Sequence, residues 1–384
     1  MKERVNTVNC QCGVKCIQNM RSIAFFVKTF EGGGAQRVMA TLTKEFVAQG
    51  HRVTIITMFH AESYELPLGV ELLNMDIDRA DLSVEHNREK IDKARRLLQK
   101  NQVNVVVIGS TSAPLYQYAL EMRKQCEFRI IAQMTNDPNS SPKSSEQREE
   151  RDRIFDLLVQ IGSGFVFQTP YERDYFPPSV RKKSIIINNP IMDLPFNPFS
   201  GERRKVIVTA GRLDEQKNFH LLLRAFAIFC ESHPDYRLEI YGRGHMENSL
   251  RSEAVNLGIS DLVDFCGFSL DWHKKLSNAA MFVQSSDYEG VSNVLLEALC
   301  MGVPTISTDC PAYGARMFLE HGKSGFLVEV GNAIAMASAM IELANNPKMG
   351  QNFSNQSVLI KDTLSVESIV RQYLDYWDYL DSLL

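Results

Sequence analysis

The sequence predicts an α/β protein built from two doubly wound parallel sheets. Two observations carry this expectation. Short apolar runs alternate with helical patterns in two successive blocks, and a connector at 188–204 with three prolines and little periodicity separates them. Length agrees, because 384 residues are long for a single core and suit two domains of roughly 150 residues or more.

Taken in order, residues 1–19 precede the first strand pattern and are expected to be a disordered extension, or the product of an upstream start codon. The first domain is expected over 20–190, with strands at Ser22–Val27, Arg52–Thr57, Val103–Ile108, Arg129–Gln133, Gly164–Gln168 and Ser184–Ile187. Continuous apolar runs such as Val105–Ile108 suit strands buried between two helical layers. Between the first two strands, Ala35–Gln49 sets Val38, Leu42, Phe46 and Val47 along one stripe, and Gly50 stops that helix. The second domain is expected over 191–364, with strands near Lys205–Thr209, Arg237–Tyr241, Leu262–Cys266, Ala280–Gln284, Thr305–Ser307 and Gly325–Val328. The tail, 365–384, gathers Ile369, Tyr373, Tyr376, Trp377 and Leu380 on one face and reads as a closing amphipathic helix.

Composition narrows the class. An apolar fraction of 44% and a charged fraction of 23% are those of an ordinary globular chain. No run approaches the ~18 apolar residues of a membrane span, and the N-terminus lacks a secretory apolar core, so a cytoplasmic protein is expected. Residues 1–190 hold 26 Lys or Arg against 22 Asp or Glu, whereas the remainder holds 16 against 24. The basic excess suits a domain that meets anionic lipid or a lipid diphosphate. Arg88–Lys100 concentrates that charge on a predicted helix, either as a solvated face or as a peripheral contact with the inner face of the plasma membrane. A net charge of −4 without aromatic–basic platforms argues against nucleic acid. Cys126, Cys230, Cys266, Cys300 and Cys310 are scattered and read as reduced, whereas Cys10, Cys12 and Cys16 cluster without a fourth metal ligand nearby. Neither a metal site nor a bound cofactor is expected.

The stretch richest in chemistry is 285–304. Glu289 and Glu297, separated by seven residues, follow the apolar strand Ala280–Gln284 and flank the start of a helix near Ser292 or Asn293. A strand end beside a helix N-terminus is where parallel α/β sheets place anionic ligands. Gly33 and Gly34 would let backbone approach a phosphate or sugar in the same way, and Arg212 with Lys217 would neutralise a phosphate group. Nicotinamide chemistry is disfavoured. The loop at 32–37 has Arg37 where the last fingerprint glycine belongs, and Met246-Glu247 follow Gly242 and Gly244.

This chain resembles the retaining glycosyltransferases of family 4 from about Met20 onward. The resemblance rests on the paired glutamates within Glu289-Gly290 and Leu295-Leu296-Glu297-Ala298, the glycine-rich loop at 30–38, Gly211-Arg212-Leu213 with Lys217, Tyr241-Gly242-Arg243-Gly244, and 307–311. Asn136-Asp137-Pro138 and 187–191 are similar to the subset that extends lipid-linked oligosaccharides.

The resemblance implies a GT-B fold, two Rossmann-like domains facing across a cleft, with the last helix crossing back to the first domain. It also implies transfer of a hexosyl or N-acetylhexosaminyl group from a nucleotide-sugar, expected to be a uridine diphosphate sugar, to a saccharide or lipid-linked oligosaccharide acceptor. In that frame Glu289, Arg212 and Lys217 act on the reacting sugar and diphosphate, and Glu297 takes the ribose hydroxyls. Gly290, Val291, Ser292, Gly33, Gly34 and Gly242 contribute backbone contacts, with Cys266 and Phe268 beside the base. Many relatives carry a His near 133–137; here Asn136 or Asp137 substitutes for it or the contact is missing, and Arg37 stands nearby for acceptor or donor sugar. Two other readings share the fold: a nucleotide-sugar epimerase and a non-catalytic saccharide-binding partner of a transferase.

Overall fold

The structure is a computed structural model that describes residues 7–9, 15–17, 20–30, 33–60, 65–109, 112–134, 138, 145–191, 199, 201–269 and 272–383. Among these residues the strands from Ser22 onward form two parallel sheets. The first has seven strands in the order Glu71–Asn74, Arg52–Thr57, Ser22–Val27, Val105–Ile108, Arg129–Gln133, Gly164–Phe167 and Ser184–Ile186. The second has six, in the order Val263–Gly267, Arg237–Tyr241, Arg204–Ala210, Ala279–Gln284, Thr305–Thr308 and Phe326–Val328.

Strand order reverses at Ser22–Val27, which pairs with Arg52–Thr57 on one side and Val105–Ile108 on the other. It reverses again at Arg204–Ala210, between Arg237–Tyr241 and Ala279–Gln284. Loops leaving neighbouring strands diverge at such points, opening a crevice at the carboxyl ends. The expected α/β architecture is therefore present twice.

The strand Glu71–Asn74 was not expected. Its four residues are half-buried, start on a charge and lie at the sheet edge, so they lack the apolar run that marks the central strands. Residues 7–9 and 15–17 form a two-stranded antiparallel ribbon separate from both sheets, within a segment expected to lack structure.

The final helix, Val366–Ser382, packs on the helix Gly34–Ala48 of the first domain, as the resemblance implied. Trp377 is fully buried and stacks on Phe46 with centroids 5.5 Å apart. The Tyr376 hydroxyl accepts from the Phe165 amide at 2.8 Å, and Asp378 and Asp381 pair with Arg21. Gly164 makes room, since a Cβ there would lie 2.6 Å from both Leu380 Cδ1 and the Tyr376 hydroxyl.

The predicted helix Arg88–Lys100 also forms. It buries Ile91, Ala94 and Leu98 and leaves Arg88, Lys93, Arg96 and Lys100 exposed. Part of its charge is already met, by Lys100 with Glu71 at 2.9 Å and Arg95 with Asp92 at 3.1 Å.

Candidate active site

The second sheet contributes three loops at its carboxyl ends. Gly211 to Asp214 leave Arg204–Ala210 and enter a short 3-10 turn, Glu215–Lys217, capped by the Asp214 carboxylate accepting from the Lys217 amide at 3.3 Å. Backbone runs against backbone here. The Gly211 amide donates to Tyr241 O at 2.9 Å and the Leu213 amide to Arg243 O at 3.0 Å. Gly242 has a positive φ, and a Cβ on it would sit 1.8 Å from the Gly211 carbonyl oxygen. Its visible job is close packing of two loops. Asn218, at φ 42°, turns the chain into the helix Phe219–Cys230, accepting from the Leu221 amide at 3.1 Å and donating to Asp287 at 2.6 Å.

That turn delivers Lys217 to Glu289. The Glu289 carboxylate is 8% exposed; one oxygen receives Lys217 Nζ and the Ser286 hydroxyl at 2.8 Å, the other Gln216 Nε2 at 3.3 Å. Gln216 ties in Arg212, whose guanidinium donates to the Gln216 side-chain oxygen at 3.0 Å. Arg212 also pairs with Asp214 at 3.2 Å, yet its side chain stays 72% exposed and reaches toward solvent. Arg212, Lys217 and Glu289 are thus brought into one cluster as the sequence suggested, with Gln216 and Ser286 joining them. Cys310 lies alongside, donating to the Ser286 carbonyl at 3.2 Å; burial pushes its thiol up to about 12, which makes it a poor nucleophile.

Glu297 belongs to a different cluster. It lies in the helix Asn293–Cys300, is 4% exposed, and receives Arg37 from the first domain on one oxygen and His273 Nε2 at 2.9 Å on the other. The two glutamates share no bonded partner among the described residues. Ser292 does precede that helix, but its buried hydroxyl makes no capping bond and finds no partner among the described residues.

The cleft lies between the sheets. Two helix N-termini meet across it: a Cβ on Gly34 would approach Asn293 Nδ2 to 2.8 Å, so the start of the helix Gly34–Ala48 lies directly against the Asn293 side chain. Gly33, at φ 83°, forms the turn before it. Asn189 donates to Asn293 Oδ1 at 2.7 Å, and the Val291 amide donates to Gln168 Oε1 at 3.2 Å. A cavity of about 100 Å³ opens among Ala35, Gly109, Gln133, Asn189, Val291 and Asn293. Gly290 abuts a further loop, because a Cβ on Gly314 would sit 1.7 Å from the Gly290 oxygen. Cys266, near the end of the strand Val263–Gly267, and Phe268, just after it, are both exposed, Phe268 by 59%. Asn136 and Asp137 lie outside the described residues.

Sequence reasoning missed His273, Gln168, Asn293 and Gln216 as site members. Asn189 and Gln216 sit inside quoted motifs without having been singled out, and Gln168 ends an expected strand. His273 gave no signal: it sits on the short helix Trp272–Leu276, 24 residues before Glu297 in the chain. Among the described residues, no three His, Cys, Asp or Glu side chains converge as a metal site, and no helix is long and apolar enough to cross a membrane.

Residues 193–358 match the family model described as Glycosyl transferases group 1, and residues 32–176 match Glycosyltransferase Family 4. An uncharacterized glycosyltransferase of Haemophilus influenzae is 25% identical over 358 residues, covering 92% of this chain and 99% of that protein. A Campylobacter jejuni protein is 24% identical over 346 residues, covering 88% of this chain and 93% of its own length. Its name is GalNAc-alpha-(1->4)-GalNAc-alpha-(1->3)-diNAcBac-PP-undecaprenol alpha-1,4-N-acetyl-D-galactosaminyltransferase. The crystal structure of Anabaena HepE in complex with UDP superposes with a TM-score of 0.77 at 16% identity, covering 93% of this chain and all of that one.

Proposed function

The chain is a glycosyltransferase of the GT-B fold, with a family 4 domain followed by a group 1 domain, and from that premise we propose that it moves a sugar from a UDP-sugar to a lipid-linked saccharide with retention at the anomeric carbon. The observation that carries the site assignment is the buried Glu289 carboxylate held by Lys217, Gln216 and Ser286 at the carboxyl end of the second sheet. The name of the Campylobacter relative supports the acceptor, and the UDP complex of HepE supports the donor.

In this reading the bond between the anomeric carbon and the diphosphate oxygen breaks, and an acceptor hydroxyl bonds to the same face. Its proton passes to the departing phosphate oxygen, so no protein base is required. Lys217 and Arg212 meet the negative charge that grows on the diphosphate, with the helix N-termini adding aligned dipoles. They supply cationic charge without a metal. Glu289 orients a sugar hydroxyl and favours the cationic transition state, while Lys217 and Ser286 hold it in place. Glu297 takes the ribose diol. Gly33, Gly34, Gly290, Val291 and Ser292 line the approach, and Phe268 stacks on the base. Gln133, which opens the segment 133–137 near which many relatives carry His, lines the cavity and contacts the sugar.

The basic first domain supports peripheral contact with an anionic inner membrane face through the exposed stripe Arg88, Lys93, Arg96 and Lys100.

The test is a panel of nucleotide sugars read by thermal unfolding, then by product formation with an undecaprenyl-diphosphate saccharide. The true donor at about 100 times its Kd should add about 2.7 kcal/mol of stability. Turnover should survive a chelator. Failure of every nucleotide sugar to stabilise the protein, or activity abolished by chelator and restored by magnesium or manganese, would contradict the assignment.

A further inference from the structure

Glu297 is deeply buried, yet both of its oxygens are already occupied. The two partners differ in kind. His273 comes from the same domain, is itself buried, and packs against Trp272 with ring centroids 4.6 Å apart and the planes tilted by 40°. Arg37 comes from the first domain, on the helix that begins at Gly34, and keeps 22% of its side chain exposed beside a recess shared with Thr41, Pro190 and Asn293. One partner is built into the second domain; the other arrives only when the two domains meet.

A carboxylate oxygen that accepts from a guanidinium can equally accept from a ribose hydroxyl. The carboxylate is only 4% exposed, so a ribose hydroxyl reaches it through the space that the Arg37 guanidinium fills rather than beside it. Resting on the proposed role of Glu297 in ribose binding, we infer that His273 is the fixed positioning residue for that carboxylate. Arg37 is its resident competitor, a first-domain cation that nucleotide must displace. Arg37 thereby tunes donor affinity: part of the nucleotide's binding energy goes into breaking the Arg37–Glu297 pair, which holds the domains together in the free protein. His273 keeps the other oxygen engaged throughout, so the carboxylate does not rotate away when Arg37 leaves.

The test is calorimetry on the full chain with UDP, or whichever of GDP, ADP and dTDP binds in the thermal panel. It compares wild type, Arg37→Ala, His273→Ala, His273→Gln and Glu297→Gln. Competition predicts that Arg37→Ala tightens nucleotide binding about fivefold, in line with releasing a partly exposed ion pair. The same substitution made on top of Glu297→Gln should add nothing. His273→Ala should weaken binding, and His273→Gln, which keeps an N–H donor, should restore most of it. A merely structural arginine or histidine would lower the melting temperature without either the tightening or the rescue. Unchanged or weaker binding in Arg37→Ala overturns the competitor role, and failure of His273→Gln to rescue overturns the positioning role. If Glu297→Gln leaves nucleotide affinity untouched, it is the ribose reading that fails, a result separable from the other two.

Discussion

Lys217→Ala should cut turnover by roughly two to three orders of magnitude, the scale seen when one preorganised donor to a developing oxyanion is removed. Lys217 is the cation bonded to Glu289, and its stem runs past Gly211, where a Cβ would lie 3.3 Å from three of its side-chain carbons. That passage suits a slim alkyl chain, so Lys217→Arg should recover little of the lost rate. The fold should persist, because Glu289 keeps Ser286 and Gln216 as donors. Single-turnover kinetics with the donor found by the nucleotide-sugar panel, beside a melting curve, separates lost chemistry from lost structure. A variant that keeps wild-type turnover would remove Lys217 from the mechanism.

The largest expected loss of stability is at the closing helix. Trp377→Ala should cost about 3–5 kcal/mol, as large-to-small changes in a packed core do. The indole fills the space between Val366–Ser382 and Gly34–Ala48, touching Phe46 and Tyr373. Its Nε1 is buried with no hydrogen-bond partner among the described residues. Trp377→Phe removes that unpaired donor along with some volume, so it should cost clearly less than Trp377→Ala. Chemical unfolding of both variants checks the order. Equal losses would mean that ring packing is not what fastens the helix.

Most of this architecture was legible because parallel strands covered on both faces write continuous apolar runs into the chain. Val105–Ile108 is such a run, and all four of its residues are buried. Glu71–Asn74 wrote no such run, being a half-buried edge. The tail helix could be read as amphipathic from Tyr373, Tyr376, Trp377 and Leu380, and the partner of that face followed from the resemblance.

At the site, motifs named Glu289, Arg212 and Lys217, and the fold brings them together. Motifs could not say which donors reach each oxygen. The pairings of Glu297 with Arg37 and of Val291 with Gln168 join positions 260 and 123 residues apart, so no local pattern encodes them. The resemblance put the two glutamates at different halves of one donor, Glu289 at the reacting sugar and Glu297 at the ribose. The structure gives each its own set of partners, because Glu289 ends a loop over the second sheet while Glu297 sits within a helix facing the first domain.

The account turns on that division of labour, and one paired measurement addresses it: nucleoside diphosphate binding by calorimetry together with steady-state kinetics, on Glu289→Gln and Glu297→Gln. Glu297→Gln should weaken binding of the free nucleoside diphosphate by about 1.5–3 kcal/mol, the scale of a hydrogen bond to a charged group. Glu289→Gln should leave that binding near wild type and depress turnover, because its interaction strengthens only as the sugar becomes cationic. Both variants behaving as wild type in both measurements would contradict the account and leave the glutamates without a part in catalysis.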